Sequence, residues 1–557
     1  MAVVVIPARD EEDRIAGCLE ALAAQTVALG SFETIVVLDG CTDETAAAAK
    51  QTAQALGLEL TLIDGPAAGA GAARRTGMDA AADRLLELGR EQGLIACTDA
   101  DSRPAPDWLA RQLDHLAGGA VAIAGMIELD DEDQLAPGVL RRRRRDAAAR
   151  LVRVRELDPE AAHHHFAGAS LAVTAAVYRE VGGLEPLASL EDAAFEIRLR
   201  EHGIPVKRAG DVRVRTSARL NGRAGRGLAV DIAVATWAER RRYNAADFPV
   251  ARLLEVKGTS SVTVIIPTKQ CAATIGGVLR DTVGPLVRAG AVDDVVVIDA
   301  ASADGTETVA RSCGAEVLQQ DELLPAYGPA LGKGDAMWRA LHATDGDIVC
   351  FLDGDTADPD PRHLRGLLGP LLTDVSVALV KGAFDRPLRV GETEVPHEGG
   401  RVTELMARPL LNLHEPRLAG FTQPLAGEFA GRRSVLESIP FATGYGVEIG
   451  VLIDALSACG LDALAECRLG TRHNRHQPLR ALGEMSYAVL AAVENRLGDR
   501  PRVVCGRYLR PWRDDSIAEV PVGERPPLSS LTTSARSSRS PDSWCPTRCD
   551  DDQAHAV

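Results

Sequence analysis

This chain contains one fold twice. The run Val3-Val4-Val5-Ile6-Pro7 returns as Val262-Thr263-Val264-Ile265-Ile266-Pro267. Thirty-two residues after each proline an aspartate closes a β-branched run, Ile35-Val36-Val37-Leu38-Asp39 and then Val295-Val296-Val297-Ile298-Asp299. A further acid follows each turn, Asp43 and Asp304. A third strand in each half ends in an acid-x-acid triplet, Asp99-Ala100-Asp101 and Asp353-Gly354-Asp355. Matching order and spacing over three elements indicate a duplicated unit.

Short β-branched strands alternate with helix-like stretches such as 14–24 and 42–56. That alternation predicts βαβ units and a mostly parallel sheet, hence an α/β fold in each half. Ligands of such sheets gather at the carboxyl ends of the strands. Asp39, Asp99, Asp101, Asp299, Asp353 and Asp355 all fall there. The first copy is expected over residues 1–250 and the second over 260–500, joined by Arg240-Arg241-Arg242 through Ser261. From 512 to 557 Ser, Arg, Pro and Asp dominate, which predicts a disordered tail.

The chain has 62 basic and 79 acidic residues, a net charge of −17. This argues against nucleic acid or an anionic membrane surface as the main partner. No apolar run approaches the ~20 residues of a membrane helix, so no membrane insertion is expected. Eleven scattered cysteines without a CxxC pair suit reduced thiols and a cytoplasmic location.

Two carboxylates at i and i+2 on a strand end can hold one hard divalent cation together with substrate phosphates. A lone Asp-x-Asp more often merely ends a strand, but here it recurs at the same place in both copies. Gly399-Gly400-Arg401 precedes a helix-like stretch, Val402 to Leu413. Amides at a helix start bind anions, and an arginine there forks onto phosphate or carboxylate. Gly332-Lys333-Gly334 offers a flexible loop with one cation, suited to a diphosphate.

These motifs resemble the GT-A nucleotide-sugar glycosyltransferases. The first copy is similar to glycosyltransferase family 2 through Pro7-Ala8-Arg9-Asp10-Glu11-Glu12, Asp39-Gly40-Cys41-Thr42-Asp43, Asp99-Ala100-Asp101 and Glu191-Asp192. The resemblance implies donor contacts at Pro7, Asp39 and Asp99, a metal–diphosphate contact at Asp101, and Asp192 as the base that deprotonates the acceptor hydroxyl. The acid pair equally suits the first turn of a helix.

Residues 262–490 resemble the glucosyl-3-phosphoglycerate synthase family more closely. The resemblance lies in 329–339 (Pro-Ala-Leu-Gly-Lys-Gly-Asp-Ala-Met-Trp-Arg), 399–405 (Gly-Gly-Arg-Val-Thr-Glu-Leu), 423–429 (Gln-Pro-Leu-Ala-Gly-Glu-Phe) and 444–450 (Gly-Tyr-Gly-Val-Glu-Ile-Gly). It implies two tandem GT-A domains and a retaining transfer of glucose from a nucleoside diphosphate glucose, UDP-glucose, to 3-phosphoglycerate. The cofactor it implies is Mg²⁺ or Mn²⁺ on Asp353 and Asp355. Donor binding is then expected at Pro267, Thr268, Asp299, Gly332, Lys333, Asp353 and Tyr445, and acceptor binding at Gly400, Arg401, Thr403 and His476. Glu448 and Asp355 are the expected catalytic residues, and a homodimer is the expected assembly.

Three positions depart from that family. Cys271, in Pro267-Thr268-Lys269-Gln270-Cys271, stands where an acid is expected, and Ala300 replaces a small polar residue. Asn474 falls at the metal-ligand histidine, so a neighbouring histidine, His473 or His476, is the expected third ligand. Arg141–Arg145 is read as a solvated helix face or a clamp for an anionic acceptor, and His163-His164-His165 as lining the acceptor side. Two alternatives stay open. The first copy is a separate inverting transferase, or one copy is a non-catalytic binding or dimerisation module.

Overall fold

The structure, a computed structural model, describes residues 1–531 except 131–133, 188, 221, 223–224, 391–392, 397, 474–476, 499–501 and 514. The chain forms two compact units, residues 1–239 and 240–557.

The strands of the first unit are β1 (Ala2–Ala8), β2 (Phe32–Leu38), β3 (Leu60–Asp64), β4 (Leu94–Cys97), β5 (Ser102–Pro104), β6 (Ala122–Leu129), β7 (Leu171–Thr174) and β8 (Lys207–Thr216). Three of its helices frame the site: α1 (Ala70–Glu87), α2 (Pro137–Arg155) and α3 (Glu191–Glu201). The sheet order is β3-β2-β1-β4-β7-β6-β8-β5. β1 lies between β2 and β4, parallel to both, whereas β7 runs antiparallel to β4 and β6. Side chains on successive strand residues face opposite ways. Val3 and Val5 therefore enter one core with Met78 and Leu85 of α1, and Val4 and Ile6 enter the other with Leu19 and Leu22.

The second unit repeats this layout. It comprises β9 (Arg242–Asn244), β10 (Val262–Thr268), β11 (Asp294–Asp299), β12 (Glu316–Gln319), β13 (Ile348–Phe351) and β14 (Leu379–Asp385). A small hairpin, β15 (Leu388–Val390) and β16 (Thr393–Val395), precedes β17 (Phe429–Arg432), β18 (Phe441–Ala442) and β19 (Leu464–Thr471). Last come β20 (Arg507–Arg510), β21 (Ser516–Glu519) and β22 (Glu524–Arg525). Its main sheet runs β12-β11-β10-β13-β17-β14-β19-β9, which matches the first unit strand for strand except at the last edge. Even an irregularity recurs: the β6–β8 register shifts at Gly125/Met126 and the β14–β19 register at Ala383/Phe384. The helices that matter below are α4 (Lys333–His342), a helical stretch 401–414 that ends in α5 (Arg408–His414), and α6 (Val447–Cys459).

Two boundaries differ from the sequence reading. The segment read as a junction belongs to the second unit, because β9 pairs parallel with β19. Arg241, in the charge run, is buried on Asp374 at 2.6 Å and Asp462 at 3.1 Å. Of the segment read as a tail, the described residues up to Leu531 carry regular structure. β21 pairs with β20 and β22 with β18, Val520 and Val522 are buried, and Arg525 holds Asp335 at 2.6 Å. Composition hid this short alternating strand among polar residues. Residues 532–557 lie outside the described residues.

Candidate active site

In the second unit α4 starts from Gly332, at a φ of 142°. Its second glycine, Gly334, lies so close to the Ala442 carbonyl that a Cβ would collide with it. This approach delivers Lys333 between two carboxylates. Its Nζ lies 2.6 Å from Asp353 Oδ1, beyond the end of β13, and 2.8 Å from Glu448 Oε1, in the first turn of α6. Burial alone would lower the Lys333 pKa, but the two acids push it well above the ordinary range. Burial likewise opposes the Asp353 charge, and Lys333 with Arg472 (3.6 Å) holds that carboxyl far below its usual range. Asp355 has no such ion pair among the described residues, and burial together with the Asp353 charge raises its pKa. One carboxylate held ionised beside another that is electrostatically crowded is a condition a bound divalent cation relieves.

Four polar side chains outside the expected site residues build the wall behind this pair. Arg472 is buried, ion-paired with Glu428, and donates to Thr356 Oγ1 at 2.6 Å. Next to Glu428, Gly427 has no room for a Cβ, which would collide with the Asp353 carboxylate. Lys381, fully buried in β14, donates to the Ala426 carbonyl at 2.6 Å and stands 4.8 Å above the Phe429 ring. The Nε of Arg386 is buried with no hydrogen-bond partner among the described residues. Burial lowers the Arg386 pKa against the pull of Asp353, Asp355 and Glu448. Lys381 carried a sequence signal, a cation directly after the apolar run Val377-Ala378-Leu379-Val380.

Burial lowers the Lys381 pKa to about 7. The unfolded chain therefore binds the extra proton from about pH 7 to about pH 10, and Lys381's contribution to stability rises with pH across that window. Denaturant titrations should show the wild type gaining about 1.4 kcal/mol per pH unit relative to Lys381→Met between about pH 7 and 9. Parallel curves would refute a deprotonating buried lysine.

The structure sorts the remaining expected residues. Pro267 and Thr268 end β10 beside Asp299. Asp299 is fully buried and accepts from Ser302 N (2.8 Å), Ser302 Oγ (2.7 Å) and Thr268 Oγ1 (3.0 Å). These bonds fix the carboxylate in the turn after β11. Cys271 is buried, and burial pushes its thiol up to about 11, so this position supplies no charge. Gly400 takes φ 70°, Thr403 is buried, and Arg401 donates to the Gln477 carbonyl at 2.6 Å. Gln477 also lines a cavity of about 430 Å³ with Tyr445, Arg480, Arg510 and Trp512. His473 does not join the Asp353–Asp355 pair. Its ring nitrogens face Asp358 (3.1 Å) and Glu394 (3.3 Å) at the surface, which raises its pKa. Exposed acids have drawn it away from the ligand position expected for it. His476 and Asn474 lie outside the described residues.

The first unit has a parallel arrangement with arginine in place of lysine. Arg74 of α1 bridges Asp99 (2.6 Å) and Glu191, as Lys333 bridges Asp353 and Glu448. Arg219 bridges Asp101 (3.0 Å) and Glu11 (2.8 Å). Burial and Asp99 push Asp101 up to about 6 against the pull of Arg219. Glu191 ion-pairs with Arg74, and the neighbouring Asp192 also acts on the Arg74 charge. Asp192, expected as the base, is only partly buried and caps the neighbouring Ala193 N–H at 2.8 Å. Two residues at a helix start point about 100° apart, and the sequence could not say which faces inward. Pro7 is buried in β1, and Asp39 accepts from Ala68 N (3.2 Å) and Gly69 N (2.9 Å) at the start of α1.

Paired GT-A-like sheets with acid triplets at their strand ends define a nucleotide-sugar transferase architecture, and the chain belongs to glycosyl transferase family 2, whose model matches residues 3–174 and 263–439. Half of the chain is similar to glucosyl-3-phosphoglycerate synthases. It is 43% identical over 298 residues to that of Mycolicibacterium smegmatis, covering 53% of this chain and 98% of the relative. It is 43% identical to that of Mycobacterium tuberculosis over 295 residues, 51% of this chain and 90% of the relative. A solved structure of the M. tuberculosis enzyme with Mn²⁺, uridine-diphosphate-glucose and phosphoglyceric acid is 40% identical over 51% of this chain and 95% of that one, with a TM-score of 0.46. Among the described residues no helix is long and apolar enough to cross a membrane.

Proposed function

We propose that the second unit transfers glucose from UDP-glucose to the hydroxyl of 3-phosphoglycerate with retention, giving glucosyl-3-phosphoglycerate. The observation that carries this reading is the Lys333–Asp353–Glu448 bridge beside the crowded Asp355, in a chain whose curated relatives bear that enzyme's name. Asp353 and Asp355 would hold Mg²⁺ or Mn²⁺, which when bound neutralises charge on the leaving diphosphate. Lys333 and Arg386 bring fixed positive charge to the same place. Gly400, Arg401 and Thr403 hold the acceptor's phosphate and carboxylate at the start of the 401–414 helix. Glu448 lies against the reacting carbon's pocket, its charge held by Lys333.

The test is a coupled assay of the full chain with UDP-glucose, 3-phosphoglycerate and Mg²⁺ or Mn²⁺. UDP release should require the acceptor. Arg401→Ala should raise KM for 3-phosphoglycerate by about 10- to 100-fold, because a charge-assisted fork is lost. Release that ignores the acceptor, or an unchanged KM, would sink the acceptor assignment.

A further inference from the structure

In the first unit both acids of the triplet already face arginines of the same chain. Arg74 holds Asp99 at 2.6 Å, and Gly168 has no room for a Cβ beside the Arg74 guanidinium. Arg219 lies 3.0 Å from Asp101 and 2.8 Å from Glu11, whose side chains are only 9% and 7% exposed. The loop that carries Arg219 is pinned where it leaves β8. Arg14 Nη1 donates to Ser217 Oγ at 2.6 Å, and the same hydroxyl accepts from Arg219 N at 3.3 Å.

The duplication supplies an internal comparison. Four residues after the first proline of each copy stand Glu11 and Cys271. Their backbone N–H groups make the same bond, to Thr45 Oγ1 at 2.7 Å and to Thr306 Oγ1 at 2.8 Å. Three residues after β8 and β19 end, at Thr216 and Thr471, stand Arg219 and Asn474. The second unit therefore lacks both ends of the bridge, the acid and the arginine. Its Asp355, the counterpart of Asp101, has no ion pair among the described residues. Glu11, Arg219 and a paired last acid occur together in one copy and are missing together from the other.

A divalent ion on Asp101 would meet the Arg219 guanidinium at close range, like charge against like. Moving Arg219 aside would strip the buried Glu11 of this cation. The metal–diphosphate contact expected at Asp101 does not fit these residues. We propose that the first unit carries its cation within its own chain: the Arg219 guanidinium takes the place of a divalent ion on Asp101, and the unit takes up no metal. The contacts that carry this do not depend on the transfer reaction assigned to the second unit.

The test is a titration of the full chain with Mn²⁺, the free ion read by electron paramagnetic resonance. Asp101→Asn should bind as much Mn²⁺ as the wild type. Arg219→Ala, which frees two carboxylates on a partly exposed loop, should bind about one further equivalent per chain. Arg219→Lys keeps the charge and should match the wild type. Asp355→Asn reports on the second unit alone: it loses Mn²⁺ if that unit's reading holds and matches the wild type if it fails, and either way the other variants decide the first unit. Less Mn²⁺ on Asp101→Asn than on the wild type, or no gain with Arg219→Ala, would overturn the proposal.

Discussion

Asp355→Asn is expected to lower acceptor-dependent UDP release by about a thousandfold, while Asp101→Asn leaves it within about twofold. Asp355 is one of the two carboxylates that would hold the cation, and asparagine removes its charge while keeping its shape. Burial and Asp353 already disfavour the Asp355 charge, so the variant should fold at least as well as the wild type. Loss of activity without loss of stability separates a site residue from a structural one. Asp101 sits in the other unit against Arg219, outside the glucose-transfer centre. Full activity of Asp355→Asn would remove the second unit's acid pair from the chemistry. An equal loss with Asp101→Asn would move the reaction to the first unit.

The second large effect falls on stability. Arg472→Met leaves Glu428 buried without its cation, and breaking a buried pair from one side costs about 3–5 kcal/mol. One Glu428 oxygen already has no hydrogen-bond partner among the described residues, so the remaining acid has little to fall back on. For a unit of this size that cost is worth about 10 °C of Tm. Differential scanning calorimetry of the full chain should show one transition moving down by that amount. Arg472→Met/Glu428→Gln should recover most of the shift yet stay inactive, since Asp353 loses the same cation. A single variant that melts like the wild type would mean that Glu428 is protonated in the folded chain.

Duplication, sheet type and strand-end acids were legible because each is a local pattern: β-branched runs, a fixed 32-residue spacing and an acid closing each strand. Lys333, Asp353 and Glu448 were legible as residues, and the structure adds that one lysine ties both acids together. The wall behind them was not legible. Lys381, Arg386 and Glu428 meet Asp353's surroundings only through tertiary packing, and no spacing rule links them. Asp39 and Asp299 were legible by position, and the structure adds that nearby N–H and O–H donors hold their carboxylates in place. His473 shows competition instead, with Asp358 and Glu394 outbidding the distant acid pair.

Strand β9 gives the second unit a closed flank. It pairs with Glu466, Cys467 and Arg468 of β19, so those backbone groups are not open to another chain. A fragment cut at residue 260 would strip that cover and bare a row of unpaired amides and carbonyls on a largely apolar strand. Such a rim recruits neighbouring molecules edge to edge. Fragments meant to isolate this half therefore need to begin before Arg240, and a cut at 260 would be expected to precipitate for a reason unrelated to catalysis.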